Sequence, residues 1–155
     1  MEAIAREAGV AKPTLYTYFA DKDAVFHGIV DELMAAVRKG VDAALHAEGD
    51  VVARVGAALA AKYKIIARLL EGSPHADELY GEHERSTAPA FRALEQEIEA
   101  AIAEALAAAG IERPRQLTQL LLAGAYGIGR KATSPAEIGP AIRLLTERLL
   151  RPEIG

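Results

Sequence analysis

Lys12, Pro13, Thr14, Tyr16, Thr17, Tyr18 and Lys22 fall within eleven residues and bring two ammonium groups, two threonine hydroxyls and two phenols together. Such a set suits contact with a polyanion whose bases are read from the side. Lys12 could meet a guanine edge or a phosphate, Thr17 a base edge or a thymine methyl, and Tyr16 and Tyr18 phosphates. Pro13 and Thr14 turn a short helix N-terminus outward, where backbone N–H groups and the positive end of the helix dipole face an anion. Taken singly, each of these residues is an ordinary solvated side chain. Together they leave a polar, aromatic face suited to a major groove.

Other constellations carry less. His75, Asp77, Glu78, His83 and Glu84 offer imidazole and carboxylate ligands, but eight positions between the histidines match no helical ligand pair and the segment follows a Gly-Ser-Pro break, so a polar loop is expected and no metal. Gly124, Gly127 and Gly129 resemble a phosphate loop only superficially. They lie inside a helical pattern with no preceding strand, which makes them positions of close helix packing. Four scattered histidines form no Ser/His/Asp arrangement, and the absence of cysteine removes thiol nucleophiles, thiolate metal sites and disulfides together. No enzyme and no cofactor are expected.

The elements that must position these residues are helices. Alanine, leucine, glutamate and arginine dominate, alternating β-branched residues are scarce, and glycine and proline punctuate the chain at intervals. A short helix over 1–8 stops at Gly9. A second opens with Pro13 in its first turn and runs to residue 19, which gives two helices around a three-residue turn, the helix-turn-helix arrangement, with Val10 and Leu15 pointing inward to lock the pair. Asp21 is an N-cap for a third helix reaching residue 39. Further helices are expected over 51–70, 86–109, 114–131 and 135–150. The last two are joined by a short KATSP link and form an antiparallel pair. Leu117, Leu121, Gly124, Ile128, Ile138, Ile142, Leu145 and Leu149 line that pair, and Leu144 and Leu150 lie outside its main stripe. It therefore offers more apolar surface than one protomer covers, a two-fold homodimer interface.

With 155 residues and 51% hydrophobic content, the chain can build one compact core, and its net charge of −4 argues against a nonspecific nucleic-acid coat. The charge is uneven. Residues 1–22 balance to zero, 76–104 carry eight acids against two bases, and 105–155 sum to +3. Apolar stretches end well short of the roughly 20 residues of a bilayer span, and the opening residues carry no apolar run of a leader. A soluble, cytoplasmic protein without a membrane partner is expected.

The segment IAREAGVAKPTLYTYFADKDAVF, Ile4 to Phe26, resembles the DNA-binding signature of the TetR (tetracycline repressor-like) family of bacterial transcriptional regulators. The likeness rests on Ala8-Gly9-Val10, the Thr14-Leu15-Tyr16 run, the Tyr18-Phe19 pair and Asp21-Lys22-Asp23-Ala24. It implies an all-α protein with a helix-turn-helix and connecting helix over 1–40 and a helical ligand-binding and dimerisation domain over 41–155. It further implies that Lys22 grips a phosphate, and that a homodimer reads a double-stranded DNA operator as a ligand-responsive repressor. A small-molecule effector would enter a pocket lined by Tyr63, Phe91 and Tyr126, with Tyr80 or His83 at its mouth and Arg130 nearby. Two departures accompany the likeness. Ala11 stands where the family often has Ser or Thr, so one backbone contact is lost. The family also carries a helix ahead of this motif, whereas Met1 falls inside the second helix. The expectation is weak or absent DNA binding by this form, since Ile4, Val10, Leu15 and Phe19 would lack a packing partner; the alternative is a ligand-binding helical dimer without independent DNA binding.

Overall fold

The computed structural model describes residues 1–70 and 76–154, with the side chains of all of these except 70 and 76–87. The helices are α1 (Glu2–Glu7), α2 (Lys12–Tyr18), α3 (Lys22–Leu45), α4 (Val51–Leu70), α5 (Ala76–Ala108), α6 (Pro114–Lys131) and α7 (Pro135–Leu150), followed by a 3-10 turn at Arg151–Glu153. Among the described residues there is no strand, and the fold is all-α. The chain divides into two compact units, Met1–Glu32 and Leu33–Gly155, so the division falls within α3 rather than at residue 40.

In the first unit, helix punctuation follows from local chemistry. Gly9 adopts φ +67° after α1, a left-handed conformation that costs glycine little. Its N–H donates to the Arg6 carbonyl at 3.2 Å and that of Val10 to Ala5 at 3.0 Å, the paired bonds of a Schellman turn. Pro13 lies in the first turn of α2, where its missing N–H leaves no intrahelical bond unmade. The Asp21 carboxylate accepts from the Ala24 N–H at 2.7 Å, capping α3 as its type and position predict. Gly28 is where α3 receives the Phe19 ring: a Cβ there would stand 3.0 Å from it.

The second unit is organised around α4. Val52, Val55, Ala58 and Leu59 are almost wholly buried, and α4 packs on α7 most extensively and on α6 and α5 as well. A helix buried on several sides must be apolar over most of its circumference, which matches the Val/Ala/Leu composition of 51–60. The facing stripes are Leu94, Ile98, Ile102 and Leu106 of α5, Leu121 and Ala125 of α6, and Ile138, Ile142 and Leu150 of α7. Two buried threonines donate within their own helices, Thr118 to the Pro114 carbonyl and Thr146 to that of Ile142, each at 2.8 Å. Neither hydroxyl then needs a partner across the core. At the end of α5, Gly110 (φ +78°) repeats the Schellman turn, with Ile111 and Leu106 both buried beside it.

Two boundaries depart from the sequence reading. α3 continues to Leu45 rather than residue 39, because Val37, Val41 and Leu45 extend the buried stripe at four-residue spacing and Gly40 admits Ile65 of α4 at 3.0 Å from its Cβ position. The helix expected over 86–109 is α5, which begins at Ala76 and carries Pro89 in its interior. Proline removes one N–H donor there, and the helix-favouring Glu, Leu and Ala around it sustain the rest.

Because Ile142 is fully buried, Ile142→Ala is expected to lower unfolding free energy by about 2–5 kcal/mol. Urea denaturation measures it. A loss below about 1 kcal/mol would show that this α7 contact is not part of the packed core.

Candidate functional site

In the first unit α2 presents one buried and several open positions. Leu15 is buried, while Lys12, Pro13, Thr14, Tyr16, Thr17 and Tyr18 are exposed, as is Lys22 at the start of α3. The exposed set alternates around Leu15, so a single apolar anchor holds a short helix whose remaining surface is hydroxyl, phenol and ammonium. Tyr18 is 77% exposed and Tyr16 47%. Thr17 Oγ1 donates to the Pro13 carbonyl at 3.1 Å, which leaves its methyl and oxygen lone pairs outward. Lys12 Nζ lies 3.4 Å from a Glu2 carboxylate oxygen, an exposed pair that a phosphate can outcompete. Ala11 occupies the N-cap of α2 without a side-chain hydrogen bond.

Val10 does not point inward as its type suggests. Its side chain is 40% exposed, and Ala5 supplies the buried contact of α1 instead. Ile29 of α3 is likewise 42% exposed.

The second unit contains a cavity of about 820 Å³ between α4, α5, α6 and the start of α7. Four residues expected around a pocket, Tyr63, Phe91, Tyr126 and Arg130, line it together. Tyr80 and His83 lie outside the described side chains, as do His75, Asp77, Glu78 and Glu84. Leu33, Ile66, Ala67, Leu122 and Ile138 make most of the remaining wall apolar, with Thr133, Ser134 and Pro135 at the entry to α7. Volume and lining are those of a site for a small organic molecule.

Two lining residues escaped the sequence reading. Lys62 is only 2% exposed, yet its ammonium donates to both oxygens of Glu95 at 2.5 and 2.6 Å, and it also lies 4.8 Å from the centre of the Tyr63 ring. The signal was present: Val55, Leu59, Lys62, Tyr63 and Ile66 share one face of α4, so Lys62 is a charge on an apolar stripe. Glu95 answers it from the turn of α5 that follows Phe91. Burial drives the Tyr63 hydroxyl well above the ordinary phenol range, and the negative charge of Glu95 and the Tyr126 phenol reinforce the shift. Tyr63 therefore stays a neutral hydrogen-bonding group.

Glycines draw the helices together around this space. A Cβ on Gly129 would fall 2.8 Å from the Tyr63 ring, and one on Gly124 2.7 Å from Leu145. Gly127 faces open space within 4 Å and serves no such contact. On the α6–α7 pair, Leu121, Ile138 and Ile142 are fully buried within the protomer itself, as is Leu150. They are spent on the core around α4. Leu117, Gly124, Ile128, Leu145 and Leu149 are half-buried, and the open apolar surface belongs to Leu120 and Leu144, each 58% exposed.

A second cleft of about 370 Å³ lies between α3, α4 and α5. Within it Arg38 meets Glu97 at 2.8 Å, His46 meets Asp42 at 3.2 Å, and Arg54 donates to the Leu45 carbonyl at 2.9 Å while its buried Nε has no hydrogen-bond partner among the described residues. This cleft is smaller than the cavity around Tyr63. Among the described residues no helix is long and apolar enough to cross a membrane.

Residues 1–29 match the family description "Bacterial regulatory proteins, tetR family". The match covers α1, α2 and the first turns of α3, the segment that holds the exposed hydroxyl and lysine face. No curated protein matches the chain.

The Lys62–Glu95 pair should respond asymmetrically to substitution. Glu95 is half-exposed and Lys62 sealed, so Glu95→Gln leaves a buried cation unpaired and is expected to cost about 3–5 kcal/mol. Lys62→Met returns Glu95 to water and should be close to neutral. Urea midpoints at neutral pH compare them, and equal losses would contradict this account of the pair.

Proposed function

From a chain that carries the tetR-family segment of a DNA-binding transcriptional regulator at residues 1–29, we propose a homodimeric, ligand-responsive repressor acting on a palindromic operator in the cytoplasm. The observation that carries the proposal is the exposed face of α2 and the start of α3, where Lys12, Thr14, Tyr16, Thr17, Tyr18 and Lys22 stand open around the single anchor Leu15. The two α2 helices of a dimer read successive major-groove half-sites about 34 Å apart. Thr17 and Lys12 reach base edges, whereas Lys22, Tyr16, Tyr18 and the Pro13–Thr14 helix start hold phosphates.

A small molecule in the 820 Å³ cavity supplies the regulation. It must bind the DNA-competent arrangement less well than the alternative, because a ligand with equal affinity for both shifts nothing. Support for the homodimer comes from Leu120 and Leu144, which give the α6–α7 pair an uncovered apolar surface. The interface then uses Leu117, Gly124, Ile128, Leu145 and Leu149 around them, without the core residues Leu121, Ile138 and Ile142.

The exposure of Val10 and Ile29 favours a second reading, a ligand-binding helical dimer without independent DNA binding. Apolar side chains left open beside α2 weaken the support that holds a reading helix in place. Binding to duplex DNA from beside the protein's own gene, at two salt concentrations, separates the two readings.

In that assay Lys22→Ala should weaken binding to all sequences and flatten the salt slope by about one unit, while Thr17→Ala should alter sequence preference. Parent-like behaviour of both variants would overturn the assignment of this face. For the dimer, Leu144→Asp is expected to convert the protein to monomer in sedimentation equilibrium with its helical content retained. A variant that stays dimeric would place the interface elsewhere.

A further inference from the structure

We infer that the cavity selects a small amphiphile with an apolar body and a single anionic group, anchored by Arg130. The inference rests on the reading of this cavity as a ligand site and names the chemistry of its occupant. Among the described lining residues three side chains are ionised, Lys62, Arg130 and Glu95. Lys62 and Glu95 neutralise each other within 2.6 Å. Arg130 is the charge left over. It lies in the last turn of α6, is exposed at the rim, and has no ion-pair partner among the described residues.

Its neighbours on the rim offer a hydroxyl and a helix start. Ser134 caps α7 by backbone position only, its hydroxyl making no capping bond, so the hydroxyl and the positive end of a 16-residue helix open toward the cavity. The one acid at that helix start, Glu137, is engaged by the backbone N–H and hydroxyl of Thr133 at 3.1 and 2.8 Å, which holds its carboxyl below the usual carboxylate range. It does not line the cavity.

Inward of the rim the surroundings are Leu33, Ile66, Phe91, Leu122 and Ile138, with no free cation or anion among the described lining residues. An apolar tail replaces water there, while a carboxylate at the rim meets the planar guanidinium fork in a two-pronged contact. A cationic head would face Arg130 across the same rim. A neutral hydroxyl head accepts a single hydrogen bond from it but forms no ion pair. The chemistry is thus that of a monocarboxylate with a hydrocarbon or aromatic body.

The test is calorimetric titration of the full chain with decanoate, decan-1-ol and decyltrimethylammonium, all below their aggregation concentrations. Decanoate is expected to bind at least tenfold tighter than the alcohol, and the ammonium compound most weakly. Arg130→Gln, an exposed position, should bring decanoate down to the level of the alcohol and lower the alcohol's own binding far less. Ala67→Phe, which intrudes on the cavity, should weaken binding of all three, whereas surface association through Arg130 would survive it unchanged. Equal binding of decanoate and decan-1-ol by the parent chain would overturn the inference and leave the ligand-site reading standing. Failure of all three to bind would overturn both.

Discussion

An ammonium group sealed in an apolar interior cannot stand without a counter-charge, and Lys62 imposes that condition on the whole second unit. Its nitrogen is reached by both oxygens of Glu95, so α4 and α5 must present positions 62 and 95 to each other whatever else they do. The pairing and the apolar stripe of α5 agree on one rotation of that helix about its axis. With that rotation set, Leu94, Ile98, Ile102 and Leu106 turn into the core while Phe91 faces the same space as Tyr63. Gly129 lets the α6 backbone approach the Tyr63 ring closely, and the volume left between these groups is the cavity.

The same demand explains where apolar surface is spent. α4 draws Leu121, Ala125, Ile138, Ile142 and Leu150 inward, which leaves Leu120 and Leu144 outside as the surplus of the α6–α7 pair. A face of this kind is the natural place for a second copy of the chain. In the proposed regulator one unit thus supplies DNA contacts through a helix held by little more than Leu15. The other supplies a rigid frame around a ligand space. α3 is continuous across the division between them, from Lys22 to Leu45.

Much of this could be read from residue types. Helix starts and stops were legible where one residue controls them: Gly9, Pro13, Asp21, Gly110, Pro114 and Pro135 each mark an observed boundary, because caps and φ restrictions are local. The family resemblance of Ile4 to Phe26 agrees with the match over residues 1–29. Aromatic residues and Arg130, named as pocket candidates by that resemblance, do gather around one cavity. What sequence alone misjudged was tertiary in origin. Val10 looks like a core residue by type, yet it stands exposed, while Ile111 at the equivalent place in the turn after α5 is buried. Leu121, Ile138 and Ile142 fit an interface as well as a core on spacing alone, and only the packing of α4 between its neighbours decides for the core. Lys62 and Glu95 lie 33 positions apart, a distance over which no local rule pairs two charges.

In the proposed regulator, occupancy of the cavity and binding of DNA oppose each other through one conformational equilibrium. The most direct measurement is the affinity of the whole chain for a duplex from beside its own gene, with and without saturating decanoate, together with decanoate affinity in the presence and absence of the duplex. The account predicts that decanoate weakens duplex binding, and that the duplex weakens decanoate binding by the same factor. Duplex affinity unchanged by a decanoate-filled cavity would contradict it.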